Sequence, residues 1–478
     1  MRHGKRAAVL AAALLATPIT LASSLWGQGI GVSAHSSCNS GRFEAVVADP
    51  CADGSAVFYN PAALAFDPSV GALGGSIIRN SHTFTADADP GTVFKRGPAS
   101  PLVPHFWANW RGGERWAVGA GVWAPYGLTL TWPLTFPGRF GGYDNTVKAF
   151  YVQPTAAYQL IPKKLSVGAG LDIAFGTVDL NLREDLATVA VPGAGGATFN
   201  NFGIPFGTDF ASVNLHGTGT SLAGHFGALY KITDALSVGG RFMMGENVNF
   251  NNGKATFTQV ATGRTLAAGN PFLASPGTPL DALLASQFTG SGALVSRGVK
   301  TAITFPAQAV LGVAWKVKPS VELSGDWQWT NWAKWDSVAL HFQAPKDTVQ
   351  QLYLINQNTN TFRVGAQWTA NSKLDLRGGW GYNNAAETAI AVSPLLPEAK
   401  RNYYAVGAGY HLSKELTADV YYQHVAQADV RGRLYPLTAA QVAAFEQNGG
   451  TTGVNTGLYT SEGDLFGATL RYTFGPAR

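Results

Sequence analysis

Val321-Glu322-Leu323-Ser324-Gly325-Asp326-Trp327-Gln328-Trp329-Thr330 alternates without a break, with apolar residues or glycine at odd positions and polar or charged residues at even ones. A period of two puts the two sets on opposite faces of a β-strand. One face suited to lipid and the other to a water-lined lumen is the pattern of a transmembrane β-barrel. The unit recurs along the chain as an alternating run, a short charged turn and a second run.

The turns set the topology. Arg111-Gly112-Gly113-Glu114-Arg115 is one; the others are Ile161-Pro162-Lys163-Lys164, Ile232-Thr233-Asp234-Ala235, Lys316-Val317-Lys318-Pro319, Ala370-Asn371-Ser372-Lys373 and Leu412-Ser413-Lys414-Glu415. Turn chemistry between period-two runs reads as hairpins. Long connections alternate with them, over roughly 81–100, 125–146, 184–211, 253–297, 345–358, 383–400 and 426–462. Six short and seven long connections predict an all-β fold, a 14-stranded antiparallel transmembrane β-barrel, with strands starting near 69, 102, 115, 147, 164, 212, 235, 298, 319, 359, 372, 401, 415 and 463.

Composition agrees. Charged residues are 13% of the 478, against about 25% in soluble domains, while 12% are aromatic and 57 are glycine. No run beyond the N-terminus has the roughly 20 apolar residues of a membrane helix. A closed barrel satisfies its backbone internally without one. The net charge is +5 with no dense basic cluster, which argues against a nucleic-acid partner.

Arg2, Lys5 and Arg6 precede the apolar run Ala7 to Ala16, and the small residues Ala22, Ser23 and Ser24 follow. This reads as a signal peptide over 1–22, with cleavage open as far as about 34. Residues 23–67 do not alternate and precede the barrel at 68–478; an N-terminal hatch inside the lumen is the expected use of them. Cys38 and Cys51 lie in this segment, and an oxidising periplasm would allow them to pair.

The segment ends in Phe58-Tyr59-Asn60-Pro61-Ala62. Pro61 restricts Asn60 to extended geometry, and the Asn60 side chain can close a local turn. Further along stand Ala124-Pro125-Tyr126-Gly127-Leu128, Pro137-Gly138-Arg139-Phe140, Phe305-Pro306-Ala307-Gln308-Ala309, Trp329-Thr330-Asn331-Trp332-Ala333-Lys334-Trp335 and Leu396-Pro397-Glu398-Ala399-Lys400-Arg401. In order and spacing, this set resembles the FadL-type family of outer-membrane transporters of long-chain fatty acids and related hydrophobic compounds.

The resemblance implies a hatch gate at Phe58, Asn60, Pro61 and Ala62. It implies lateral exit at a kink in the third strand, near Val118 to Val122, where Gly119 and Gly121 permit one and Ala124-Pro125 interrupts the ladder above. The basic pair that meets a fatty-acid carboxylate in the family falls at Thr177 and Ala339, with Arg183 and Lys334 as nearby substitutes. Other candidates for the ligand path are Trp123, Tyr126, Phe175 and Trp332. Thr278 to Phe288, with Leu280, Leu283 and Leu284 at helical spacing, reads as an amphipathic loop helix that either forms an outer groove or packs on the rim. In the fifth strand the apolar phase flips from Leu171, Ile173 and Phe175 to Val178, Leu180 and Leu182; either a bulge near Gly176-Thr177 or exit from the membrane accounts for it. Most tryptophans are expected in interfacial girdles.

An enzyme would need a nucleophile with its base or clustered carboxylates, and neither G-x-S-x-G nor H-E-x-x-H occurs. The expected function is passive uptake of hydrophobic molecules across the bacterial outer membrane. The alternatives are a porin for small polar solutes and, more remotely, an outer-membrane lipid hydrolase. Expected partners are a hydrophobic ligand, outer-membrane lipids and the barrel-assembly machinery, around a monomer with no cofactor or metal.

Overall fold

The computed structural model describes residues 30–474 except 33, 98–99, 192–193, 269, 271–274, 345–346 and 451–455. The expected signal peptide and the apolar loop stretch Pro271-Phe272-Leu273-Ala274 lie outside the described residues.

Fourteen antiparallel strands close into one barrel. They are β1 (Ser69–Ala86), β2 (Leu102–Arg111), β3 (Trp116–Thr131), β4 (Asp144–Ile161), β5 (Leu165–Asp185), β6 (Asp209–Lys231), β7 (Leu236–Met243 and Glu246–Gln259), β8 (Arg297–Phe305 and Gln308–Lys318), β9 (Val321–Thr330 and Ser337–Phe342), β10 (Thr348–Tyr353 and Thr359–Asn371), β11 (Leu374–Asn383), β12 (Arg401–His411), β13 (Leu416–Gln427) and β14 (Gly457–Phe474). Closure is made by β1 against β14, from Ser69↔Phe474 to Ala86↔Gly457.

Alternation sorts the side chains as the barrel requires. Leu73, Ile77, Trp110, Leu171, Leu311, Val313, Trp315 and Val364 face outward and are exposed, whereas Asp172, Asp326, Asp375 and Asp419 face the lumen and are buried. The tryptophans divide. Trp110, Trp116, Trp315, Trp327, Trp368 and Trp380 are on the outer face, but Trp107, Trp123, Trp132, Trp332 and Trp335 are buried.

Several strands run further than the alternation alone suggests. β1 reaches Ala86 and pairs with Asp89–Lys95, β3 reaches Thr131, and the second piece of β7 reaches Gln259. The connections at 81–100, 125–146, 253–297 and 426–462 are correspondingly shorter. Above the membrane the outer face need not be apolar, so the ladder continues where the lipid pattern stops.

Of the two accounts of the phase flip, the bulge at Gly176-Thr177 is absent: β5 pairs with β6 without a register shift from Leu165 to Glu184. What inverts is the environment. Below Gly176 the outward set is Leu171, Ile173 and Phe175; above it the outward set is Thr177 and Asp179, while Val178 and Leu180 turn inward onto an apolar cavity.

β7 to β10 are each interrupted at one level. The last rungs below the interruption form a single row, Met243–Gln308–Thr330–Thr359. Pro306 cannot donate to the ladder, and Trp332–Lys334 coils into a 3₁₀ turn.

Candidate functional site

The described residues between Ile30 and Asp67 are almost wholly buried. Their polar groups bond to strands around the ring. Ser37 N–H donates to Thr469 Oγ1 at 3.1 Å, and the N–H groups of Val46 and Val47 donate to Asp326 Oδ2 at 2.7 and 3.0 Å. Arg42 meets Glu322 at 2.6 Å, and Gln153 Nε2 donates to Val57 O at 2.8 Å. Cys38 and Cys51 are joined by a disulfide, Cα atoms 6.2 Å apart.

Asn60 occupies the centre of this packing. Its backbone is extended (φ −166°), its Oδ1 accepts from Ala62 N–H at 3.1 Å, and Pro61 opens the 3₁₀ turn Pro61–Ala65. Its Nδ2 donates to Val47 O at 2.7 Å and to Ala228 O of β6 at 3.0 Å. A Cβ at Gly227 would collide with Asn60 Oδ1, so the turn reaches the wall only because that residue is glycine.

The break in β3 lies above the expected kink. Ala117 to Val122 pair on both sides without a shift, and the register jumps between Trp123 and Tyr126. Gly119 and Gly121 serve close packing instead: a Cβ on Gly119 would sit 3.0 Å from Val57 Cγ2, and one on Gly121 would strike the Trp107 indole. The extra residue at Ala124-Pro125 leaves both Trp123 and Tyr126 facing inward, which is the geometry of a bulge. The β2–β3 ladder stops at Phe106↔Val122. Above it the edge of β3 is met by the N-terminal segment: Val32 N–H donates to Pro125 O at 2.8 Å and Gly127 N–H to Ile30 O at 2.9 Å.

Among the described residues, cavities follow one another down the lumen. The outer one, about 1110 Å³, is walled by Leu182, Phe257, Phe342, Tyr353, Arg433 and Tyr435 among others. It joins a cavity of about 860 Å³ lined almost entirely by apolar groups, with Val178, Leu215, Phe250 and Val338 on its walls, Ile30 on the N-terminal side and Leu395 and Leu396 on the extracellular side. Next to Ile30 begins a smaller polar cavity of about 490 Å³, bounded by Gly31, His35, Phe58, Arg241, Trp332 and Arg363. Arg241 Nη1 and Arg363 Nε have no hydrogen-bond partner among the described residues. Arg241 lies 4.2 Å over the Phe58 ring. Burial drives the His35 imidazole down to about 3, so it is neutral there.

The residues expected from sequence fall into separate places. Phe58, Trp123, Tyr126 and Trp332 come together: Phe58 packs on Trp123 at 4.3 Å, and Tyr126 stacks on Phe305 at 4.6 Å with Trp332 edge-on at 5.9 Å. Phe175 does not join them, because it points outward and is 47% exposed on the lipid side. Arg183 lines the outer cavity, 3.8 Å from Asp209, and Lys334 is exposed; neither reaches the polar cavity. Thr177 also faces outward. The loop helix is confined to Leu280–Leu284, followed by a 3₁₀ turn over Ala285–Phe288. Leu280 and Leu284 pack against Leu186, Val191, Phe199 and Phe210, and Leu283 is half-buried; none of the three lines a cavity described above. Arg241 and Arg363 were missed, although both sit on the lumen phase of their strands, between outward Gly240 and Phe242 and between outward Phe362 and Val364.

A closed membrane β-barrel whose interior is packed rather than open, with cavities stacked along it, has the form of a transport protein. The family described as Outer membrane protein transport protein (OMPP1/FadL/TodX) matches residues 19–474, and the chain belongs to it. It is 22% identical over 471 residues to a putative outer membrane protein of Neisseria meningitidis serogroup B, covering 93% of each chain. Among solved structures, a Pseudomonas aeruginosa FadL homologue superposes with a TM-score of 0.74 at 21% identity, covering 94% of this chain and 100% of the other. The Ralstonia pickettii toluene transporter TbuX superposes at 0.60 with 16% identity, covering 93% and 99%.

Proposed function

We propose that the protein carries hydrophobic molecules passively across the outer membrane, as a monomer, after removal of a signal peptide over residues 1–22. The observation that carries this reading is the apolar cavity of about 860 Å³, whose N-terminal side is closed by Ile30 next to the interrupted edge of β3. A ligand captured at the extracellular mouth descends into this cavity, where burial of its chain is favourable by roughly 25 cal/mol per Å². Residues 23–67 act as the hatch, with Phe58, Asn60, Pro61 and Ala62 at its gate. Release of Ile30–Val32 from the β3 edge opens the wall at Trp123–Tyr126, and the ligand leaves sideways into lipid. The packed lumen argues against an open porin.

Arg241 and Arg363, at the base of the path and short of partners, suit a carboxylate head; a charge left unpaired there would be costly. The fatty acid is therefore the preferred cargo, ahead of neutral hydrocarbons of the kind named for the toluene transporter relative. Lipids of the outer membrane surround the barrel, and the barrel-assembly machinery inserts it. The test is binding of a long-chain fatty acid to the purified barrel, competed by an alkane of equal length and by toluene. Preference for the acid supports this assignment; equal or tighter binding of the neutral compounds replaces it with hydrocarbon uptake. Binding of none of them favours a porin.

A further inference from the structure

The extracellular half of the wall has a second discontinuity, between β8 and β9. Two rungs join them there, Val299↔Phe342 and Lys300↔His341. Below these the strands part. Residues 302–306 and 332–338 share no backbone hydrogen bond among the described residues; one side-chain bond crosses, from Thr301 Oγ1 to Ala339 O at 2.9 Å. Contact resumes where Asn331 N–H donates to Ala307 O at 2.9 Å.

Behind this split lies the apolar cavity, since Thr301, Ile303, Trp335, Val338 and Leu340 line it. Trp332 and Trp335 stand behind the split as buried rings, centroids 5.9 Å apart. Neither indole N–H has an acceptor among the described residues. Buried indole N–H groups normally find one, so two orphaned donors, Trp335 on the apolar cavity and Trp332 on the polar cavity next to it, point to a ligand that brings an acceptor.

The split lies just beyond the lipid band. Below it the outward residues are Met244, Leu311 and Val313; at its level and above they are Asn247, Asn249 and Thr304. Lys300 and His341 face outward at its upper end, and Lys334 is exposed at its lower end. Lys300 and Lys334 make the rim basic, and it sits just above the apolar outer band.

We infer that this split is a side entrance, through which a long-chain amphiphile with a hydrogen-bond-accepting head passes from the outer leaflet directly into the apolar cavity. The inference rests on the transport reading above. Such a molecule partitions into the leaflet before it meets the protein, and the side route spares it the outer cavity and the loop 384–400. Trp332 and Trp335 form the shutter, and their N–H groups meet the head as the chain enters. The split is distinct from the interruption at β3, which faces another part of the wall.

The test joins Ala302→Cys to Ala339→Cys, the next outward-facing pair after Lys300 and His341 if the register continued, with a short bis-maleimide. Cys38 and Cys51 are already bonded, and no free cysteine occurs among the described residues. A matched cross-link at Asn402→Cys and Ala426→Cys, on an unbroken rung of β12 and β13, serves as control. The probes are a fluorescent long-chain fatty acid and its methyl ester, delivered from phospholipid vesicles to the reconstituted barrel. Cross-linking the split is expected to slow association about ten-fold with equilibrium affinity unchanged, and the control cross-link to do nothing. Trp335→Ala is expected to speed association. Trp335→Phe, which keeps a ring but lacks the N–H, should weaken both probes. Slowing of the acid alone would assign the route to anionic heads, and slowing of both to any acceptor. An unchanged association rate with normal binding overturns the side entrance alone; absence of binding to the unmodified barrel overturns the transport reading and the entrance with it.

Discussion

Asn60 of the N-terminal segment donates to the Ala228 carbonyl of β6 at 3.0 Å, across 168 residues of sequence. The same amide donates to Val47 O and accepts from Ala62 N–H, so one side chain ties the 3₁₀ turn, the preceding loop and the barrel wall together. Asn60→Ala removes all three bonds and is expected to cost the segment roughly 2–3 kcal/mol. Asn60→Asp keeps the acceptor for Ala62 but loses both donors, and it places a charge in a buried site. It should be at least as damaging. Hydrogen exchange resolved by segment checks this: protection should fall in residues 30–67 while the barrel strands keep theirs.

The disulfide acts on the same body. Cys38 and Cys51 are 13 residues apart, and closing a loop of that size stabilises by about 3 kcal/mol on the chain-entropy account. The double variant Cys38→Ser/Cys51→Ser should loosen residues 38–51 in hydrogen exchange without unfolding the barrel. Equal protection in the variant would mean that the bonds to Asp326, Glu322 and Thr469 already hold the segment.

How far the sequence reaches can be argued from three places. The alternation at Val321–Thr330 and the six charged turns were enough for strand number and closure, because a strand between lipid and lumen must repeat every two residues. The flip after Phe175 was legible as a change of polarity, yet polarity does not say whether the chain or its surroundings changed. The unbroken register to Glu184 shows that the surroundings did: the lumen there is apolar and the outside is wet. Arg241 and Arg363 carried a usable signal, since each is a charged residue on the lumen phase. What the sequence could not supply was that strands seven and ten bring them to one cavity. Arg183 and Lys334 stand away from that cavity, Arg183 on the outer cavity and Lys334 exposed, because closeness in sequence to a family position does not fix where along the wall a side chain ends.

If Arg241 and Arg363 receive a carboxylate, neutralising either should discriminate by charge. Arg241→Met and Arg363→Met keep much of the aliphatic bulk and remove the guanidinium. Each is expected to weaken fatty-acid binding by about ten-fold, or ~1.4 kcal/mol, while an alkane of equal length binds as before. Isothermal titration with the two ligands checks it. Equal loss for both would show that the arginines hold the Phe58 and Phe43 rings rather than the ligand.

Glu387 and Glu398 make the loop 384–400 sensitive to pH. Both are buried. Glu398 Oε2 accepts from the N–H groups of Ala386 and Glu387 at 2.7 and 3.0 Å, and Glu398 N–H donates back to Glu387 Oε2 at 3.3 Å. Burial, and then the neighbouring Glu398 carboxylate, push the Glu387 carboxyl well above the usual glutamate range; Arg433 and Arg401 oppose this only in part. The folded loop thus holds a proton that the unfolded chain would release. Its contribution is complete below the ordinary glutamate value and is lost as pH rises through the raised one. Leu395, Leu396 and Glu387 of this loop line the apolar cavity, so loosening it unroofs the ligand path. Hydrogen exchange of residues 384–400, corrected for the intrinsic rate, should therefore accelerate as pH rises. Glu387→Gln, which stays neutral, should flatten that dependence and leave the loop protected at alkaline pH. The same slope in the variant would remove Glu387 as its source.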